Sequence, residues 1–179
     1  MSVGADSGGD RLGARETGFQ VGETGVYVGS ALQGVDAKGR VVLPADFRTT
    51  VERVSSERRI VVGFHPLLPC LRAYDLSWSV AERARIAKMV EDGAPPEEVE
   101  RQRELAFGDV EPAGFDPSGR FILPDYFRET VGIGEWAFFA GGGETFNIWA
   151  PHKLEKELKV SANTRGRCAH MMKNRKVRA

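Results

Sequence analysis

Two cysteines, Cys70 and Cys168, stand 98 positions apart in 179 residues. That is too few and too scattered for a disulfide framework, and a reducing cytoplasm is the expected location. Histidine is equally sparse. His65, His152 and His170 share no metal-ligand spacing with either cysteine, so surface or packing roles are expected and a metal site is not. No apolar run approaches the roughly 20 residues that a membrane helix needs. The first residues lack the basic start and apolar core of a secretory signal. Nucleophile and base do not come together in any recognisable triad pattern. The Gly141-Gly142-Gly143 run lies between two strand candidates rather than between a strand and a helix, so it reads as a turn and not as a phosphate loop. These absences argue against an enzyme, a cofactor, a small-molecule substrate and a membrane.

Excess charge of either sign is also missing: 25 basic residues balance 25 acidic ones. Phosphate neutralisation dominates DNA affinity, so a net charge of zero at first argues against nucleic acid. The distribution alters that. Residues 27–72 carry a net +3, residues 73–109 a net −4, residues 110–159 a net −3 and residues 160–179 a net +6. Basic surface is concentrated in one early segment and in the tail, a pattern compatible with DNA binding.

What is present is a duplication. Val35-Asp36-Ala37-Lys38-Gly39-Arg40-Val41-Val42-Leu43-Pro44-Ala45-Asp46-Phe47-Arg48 recurs 80 residues later as Phe115-Asp116-Pro117-Ser118-Gly119-Arg120-Phe121-Ile122-Leu123-Pro124-Asp125-Tyr126-Phe127-Arg128. The period exceeds that of a solenoid and suits two copies of a small unit. Each copy predicts the same local structure. Asp-x-x-Gly-Arg is turn chemistry, with the carboxylate bonding nearby amides and glycine supplying a positive φ. Asp36, Gly39, Asp116 and Gly119 are therefore the turn-structuring residues. The apolar triplets Val41-Val42-Leu43 and Phe121-Ile122-Leu123 read as short buried strands. Pro44 and Pro124 then stand where a first helical turn accepts proline.

These paired motifs resemble the MraZ family, whose members carry two SpoVT-AbrB-type domains joined by a helical segment. The resemblance covers residues 26 to 158. It implies an α+β fold in which two tandem AbrB-like swapped-hairpin units interlock as one pseudo-dimeric β-barrel with short helices and a helical linker. It implies a bacterial, cytoplasmic, nucleoid-associated regulator that binds double-stranded DNA at repeated promoter sites upstream of the division and cell-wall gene cluster. It further implies self-association into a ring-shaped homo-oligomer. The alternative is an AbrB-type antitoxin-like protein-interaction module, although such chains usually carry one copy of the unit.

By resemblance, Arg40 and Arg120 are the motif arginines, with Lys38 beside the first. A planar guanidinium reaches phosphates or guanine edges bidentately. The plainer reading pairs Asp36 with Arg40 across the turn. Arg48 and Arg128 recur on the short helices and are counted with the expected DNA-binding residues, phosphate contact and a structural ion pair standing about equal there. Ser118 replaces Lys38 in the second copy and Pro117 replaces Ala37, so the second copy is not expected to contribute equally.

The domain organisation expected is a disordered extension over 1–25, a first unit over 26–77, a helical linker over 78–109, a second unit over 110–158 and a basic, disordered tail over 159–179. Within the linker, Ser79 with Glu82 suggests a capping box, and Glu97-Glu98 opens a second helix ending at Gly108. A last helix is expected from Pro151, with Leu154 and Leu158 on one face. The aromatic residues Trp136, Phe138, Phe146 and Trp149 stand at strand spacing and are expected in a core or subunit interface.

Overall fold

The computed structural model describes residues 25–176; the expected extension over residues 1–25 lies outside them except for Gly25. Eight strands form β1 (Ser30–Gly34), β2 (Arg40–Val42), β3 (Arg59–Phe64), β4 (Leu71–Asp75), β5 (Val110–Gly114), β6 (Arg120–Ile122), β7 (Trp136–Gly141) and β8 (Phe146–Trp149). Six make one antiparallel sheet in the order β1-β7-β8-β4-β3-β5, and β2 and β6 make a separate two-stranded ribbon. The expected closed barrel is not what forms. Strands β1 and β5 are the two ends of an open sheet. The three-residue β2 and β6 pair with each other, so among the described residues no strand bridges one end to the other.

The two copies pair strand by strand across each other. Strand β1 of the first lies beside β7 of the second, and β5 of the second lies beside β3 of the first. The hairpins β3–β4 and β7–β8 meet through β4 and β8. Hydrogen bonds at matching positions are reciprocal. The Val35 amide donates to the Glu135 carbonyl at 2.8 Å and the Phe115 amide to Arg58 at 2.9 Å. The Leu43 amide donates to Gly119 at 2.8 Å and the Leu123 amide to Gly39 at 3.0 Å.

The main core lies under these crossings. Helix α1 (Ala45–Val54) buries Phe47 and Val51, and α4 (Asp125–Val131) buries Phe127 and Val131. Each pair is four apart and so shares one helix face. They pack with Leu43, Leu123, Phe121, Phe139, Phe146 and Ile148 in one cluster. Gly132, at φ +74°, ends α4 in the left-handed conformation that glycine adopts without a Cβ clash. The strand-spaced aromatics Phe138, Phe146 and Trp149 are buried as expected, while Trp136 is half-exposed.

Three helical expectations need correction. The linker helix α2 (Leu76–Glu91) starts before Ser79 and is capped by Asp75, whose side chain accepts from the Ser77 amide. An aspartate at a strand end satisfies an orphan helical amide one turn earlier than the capping-box reading placed it. Helix α3 (Pro96–Arg103) follows and runs into a π-helical turn over Glu104–Gly108, burying Val99 and Ala106 against Ile86 of α2. Helix α5 is confined to Pro151–Leu154; Leu154 is buried but Leu158 is 81% exposed, so the two do not share a buried face.

The third correction is the tail. Residues Ala162–Lys176 form a helix, α6, rather than a disordered end. The Ser161 hydroxyl accepts from the Thr164 amide at 3.2 Å, a start signal of the usual kind. Cys168 is buried, and Met171 and Met172 pack with it against Phe138, Trp149 and Leu154. Positions 168, 171 and 172 make one helix stripe. It is a single turn long in an otherwise polar and basic segment, which is why periodicity alone did not reveal it.

Candidate nucleic-acid interface

Each Asp-x-x-Gly-Arg segment is a tight turn built by its own aspartate. Asp36 Oδ1 accepts from the amides of Lys38 and Arg40, both at 2.9 Å. Asp116 Oδ1 accepts from the amides of Ser118 at 2.8 Å and Arg120 at 2.9 Å. The chain closes each turn with a pair of backbone bonds between the aspartate and its arginine or glycine. Gly39 and Gly119 have φ of +73° and +83°. A Cβ on Gly39 would stand 3.3 Å from the Leu123 carbonyl and Arg128 Nε, and one on Gly119 would stand 3.2 Å from the Leu43 carbonyl. Glycine is thus required both by conformation and by the close approach of the other copy's backbone.

The turns lead directly into β2 and β6. In that ribbon Arg40 is opposite Ile122, Val41 opposite Phe121, and Val42 opposite Arg120. Alternation sends Val41 and Phe121 inward, where both are buried. The other face presents Arg40 and Arg120, both exposed, on a diagonal, each opposite an aliphatic residue. Ile122 is 57% exposed there, an apolar side chain left in water beside a cation. A shallow concavity lined by Gly34, Asp36, Arg40, Val41, Val42 and Arg120 lies between the arginines.

The two arginines differ in their partners. Arg40 Nε donates to Asp36 Oδ2 at 2.6 Å. Its two terminal nitrogens make no bond among the described residues. Asp36 is held below the usual carboxylate range, first by the Arg40 amide and then by its guanidinium. A depressed carboxylate stabilises the fold above its unfolded pKa, and that contribution is lost as pH falls through the lower folded value. Carboxyl-resolved NMR titration should place Asp36 below an unstructured aspartate; a titration at the ordinary value would show that the Asp36–Arg40 pair does not persist in solution. Arg120 and Lys38 make no side-chain bond among the described residues.

Arg48 and Arg128 are placed differently. Arg48 Nη1 donates to the Pro117 carbonyl at 3.2 Å, and its chain lies against Gly119. Arg128 lies against Gly39, bonds Asp125 at 3.2 Å and has only 19% of its side chain exposed. Each helix arginine therefore braces the turn of the opposite copy. Sequence inspection had no signal for this, because the contact joins positions 69 residues apart.

Other candidate chemistry is absent among the described residues. No group of three or more histidine, cysteine, aspartate or glutamate side chains is placed to hold a metal ion. His65 accepts the amides of Leu67 and Leu68 at 3.1 Å through Nδ1 and so fixes its loop. Burial pushes the Cys168 thiol up to about 11, and burial also raises Cys70. Both are free, buried and unreactive at neutral pH. No described helix is long and apolar enough to cross a membrane.

No protein-family model matches the chain. Curated proteins do. It is 31% identical over 145 residues to a transcriptional regulator MraZ of Gluconacetobacter diazotrophicus, covering 79% of this chain and 89% of that one. It is 32% identical over 129 residues to the protein of that name from Rhodospirillum rubrum, covering 72% and 82%. It is also 32% identical over 136 residues to the one from Rickettsia akari, covering 75% and 87%. Similarity of this extent places the chain in the MraZ family.

Proposed function

We propose that the chain is a sequence-specific DNA-binding transcriptional regulator whose β2–β6 ribbon and adjoining turns face the duplex. The observation that carries this is the pair of exposed arginines set diagonally on the outer face of a two-stranded ribbon. The major groove admits such a ribbon, and a guanidinium pairs bidentately with guanine O6 and N7. The names of the relatives, transcriptional regulators, point the same way. Arg40, Arg120 and Lys38 are the DNA contacts in this reading. Asp36 and Asp116 orient the turns, and Arg48 and Arg128 hold them from the opposite copy. The exposed aliphatic Ile122, with the half-buried Val42 in the matching place, suits contact with a thymine methyl group.

The reciprocal hydrogen bonds between copies support a pseudo-two-fold unit of swapped AbrB-like halves. One such unit presents two arginines, a small footprint for a specific site. Repetition of the unit on repeated DNA sites raises affinity without new contacts, provided the spacings match. The assembly proposed is therefore a homo-oligomeric ring, nucleoid-associated in the cytoplasm. Its targets are repeated promoter sites upstream of the division and cell-wall gene cluster. Exposed apolar side chains on the linker helices and the nearby loop, Leu67, Leu105 and Phe107, suit a subunit contact. Light scattering of the purified full chain should return a mass several times 19.7 kDa; a monomer at micromolar concentration would rule out the ring. Gel shifts with the upstream fragment test the binding itself.

A further inference from the structure

Helix α6 is docked along the edge strand of the sheet with a fixed direction. Near its start, Asn163, Thr164 and Arg167 line a concavity with Gly29, Ser30, Ala140 and Gly141. Near its end, Met171, Asn174 and Arg175 line another with Ser30, Ala31, Leu32 and Gln33. The Arg175 guanidinium lies over the Trp136 ring, 5.6 Å from its centre. Trp136 is paired with Gly34, and Gly34 borders the concavity between Arg40 and Arg120. The helix therefore runs beside β1 towards the end of the sheet from which the Asp36–Arg40 turn departs.

The charges follow that direction. Residues 160–179 hold six basic side chains and no acidic one. Lys173, Arg175, Lys176 and Arg178 all belong to its last seven positions. Lys173 and Arg175 are exposed, and the Lys173 side chain makes no bond among the described residues. Glu135 is exposed beside Trp136, and its carbonyl accepts the Val35 amide at the crossing of the two copies. The first repeat also carries the extra lysine of its turn, Lys38. The second repeat has neither that lysine nor a matching helix.

We infer that the C-terminal end of α6 is a second DNA-binding element, which holds the phosphate backbone on the flank of the first repeat. This rests on the ribbon reading above. The helix contributes phosphate contacts and no base recognition. It makes the footprint of each unit lopsided about its pseudo-two-fold axis.

The experiment is a salt titration of binding to a short duplex of mixed sequence and to the upstream fragment, using full-length protein. Each phosphate neutralised contributes about 0.9 to the slope of log K against log salt. Lys173→Gln/Arg175→Gln should lower that slope by about 2 on both duplexes while leaving the preference between them unchanged. Arg165→Gln/Arg167→Gln removes the same charge from the other end of the helix and should leave the slope unchanged. An equal loss from both pairs would indicate a general charge effect and overturn the inference, as would an unchanged slope in the first pair. Arg175 also packs on Trp136, so Lys173→Gln alone serves if circular dichroism shows the double variant losing helix; its expected loss is about 0.9. Wild-type protein that binds neither duplex would instead remove the ribbon reading on which the inference stands.

Discussion

Arg40→Ala is expected to lose binding to the upstream fragment while keeping its melting temperature to within a few degrees and its oligomeric mass. The guanidinium is exposed, its Nε bond to Asp36 lies at the surface, and no apolar packing depends on it. Surface ion pairs contribute about 0–1 kcal/mol, so its removal costs little stability. A lost bidentate base contact costs about 1–3 kcal/mol per bound unit, and an oligomer engaging several sites multiplies that loss. Arg120→Ala should lose less. Its guanidinium is not oriented by Asp116, its turn carries Ser118 in place of Lys38, and no basic helix lies on its flank. If Arg40 served only to tie the turn to Asp36, Asp36→Ala and Arg40→Ala would lower the melting temperature alike and binding would track that loss. Gel shifts and thermal melts on the three variants separate these outcomes.

The largest stability effect is expected at Asp75. It is fully buried, the one charged residue in that class among the described residues. Three donors converge on it: the Tyr27 hydroxyl at 2.6 Å, the Ser77 amide at 2.8 Å and the Ser77 hydroxyl. Burial, then the bond to Asp75, raises the Tyr27 phenol well above its ordinary range, so it stays protonated and donates. Asp75 also caps α2, while Tyr27 bridges to Gly143 and packs on Phe47 and Phe146. One carboxylate thus joins the start of the first repeat to the linker helix. Asp75→Ala removes an N-cap, at about 0.5–2 kcal/mol, and strands a buried hydroxyl, at about 1–3 kcal/mol. The expected total is about 2–5 kcal/mol. Tyr27→Phe should cost less, because Ser77 still serves the carboxylate. The two losses should not add, since both delete the same contact. Urea unfolding of the single and double variants measures this, and additive losses would show that the bond carries no coupling. Affinity per folded molecule should be unchanged in each, the opposite pattern to Arg40→Ala.

Much of the ribbon was legible in the residues. The Asp-x-x-Gly-Arg spacing specifies a turn by chemistry that is entirely local, with carboxylate, amide and glycine within five positions. The apolar triplets and prolines after it are equally local, and the strands and helices that follow formed where they were expected. What could not be read depends on contacts distant in sequence. Arg48 and Arg128 are indistinguishable from surface cations until the opposite turn is laid against them. Asp75 looks like one more acid in an acidic linker until Tyr27, 48 residues earlier, reaches it. Barrel closure was expected from the family resemblance. In the fold the ribbon and helices cover the strands instead, and the sheet stays open. The tail misled for a different reason: six cations outweigh a stripe of Cys168, Met171 and Met172 in any composition-based reading, and only the sheet surface beneath makes that stripe matter.

The most direct measurement is hydroxyl-radical footprinting of the DNA upstream of the chain's own gene, with wild-type and Arg40→Ala/Arg120→Ala protein side by side. Wild-type protein should protect short repeated sites at a regular spacing, and the doubly substituted protein, folded and of the same oligomeric mass, should protect none of them at equal concentration. Identical protection by both proteins, or no discrete protection by the wild type at a concentration that saturates bulk DNA, would contradict the account of the ribbon as a sequence reader.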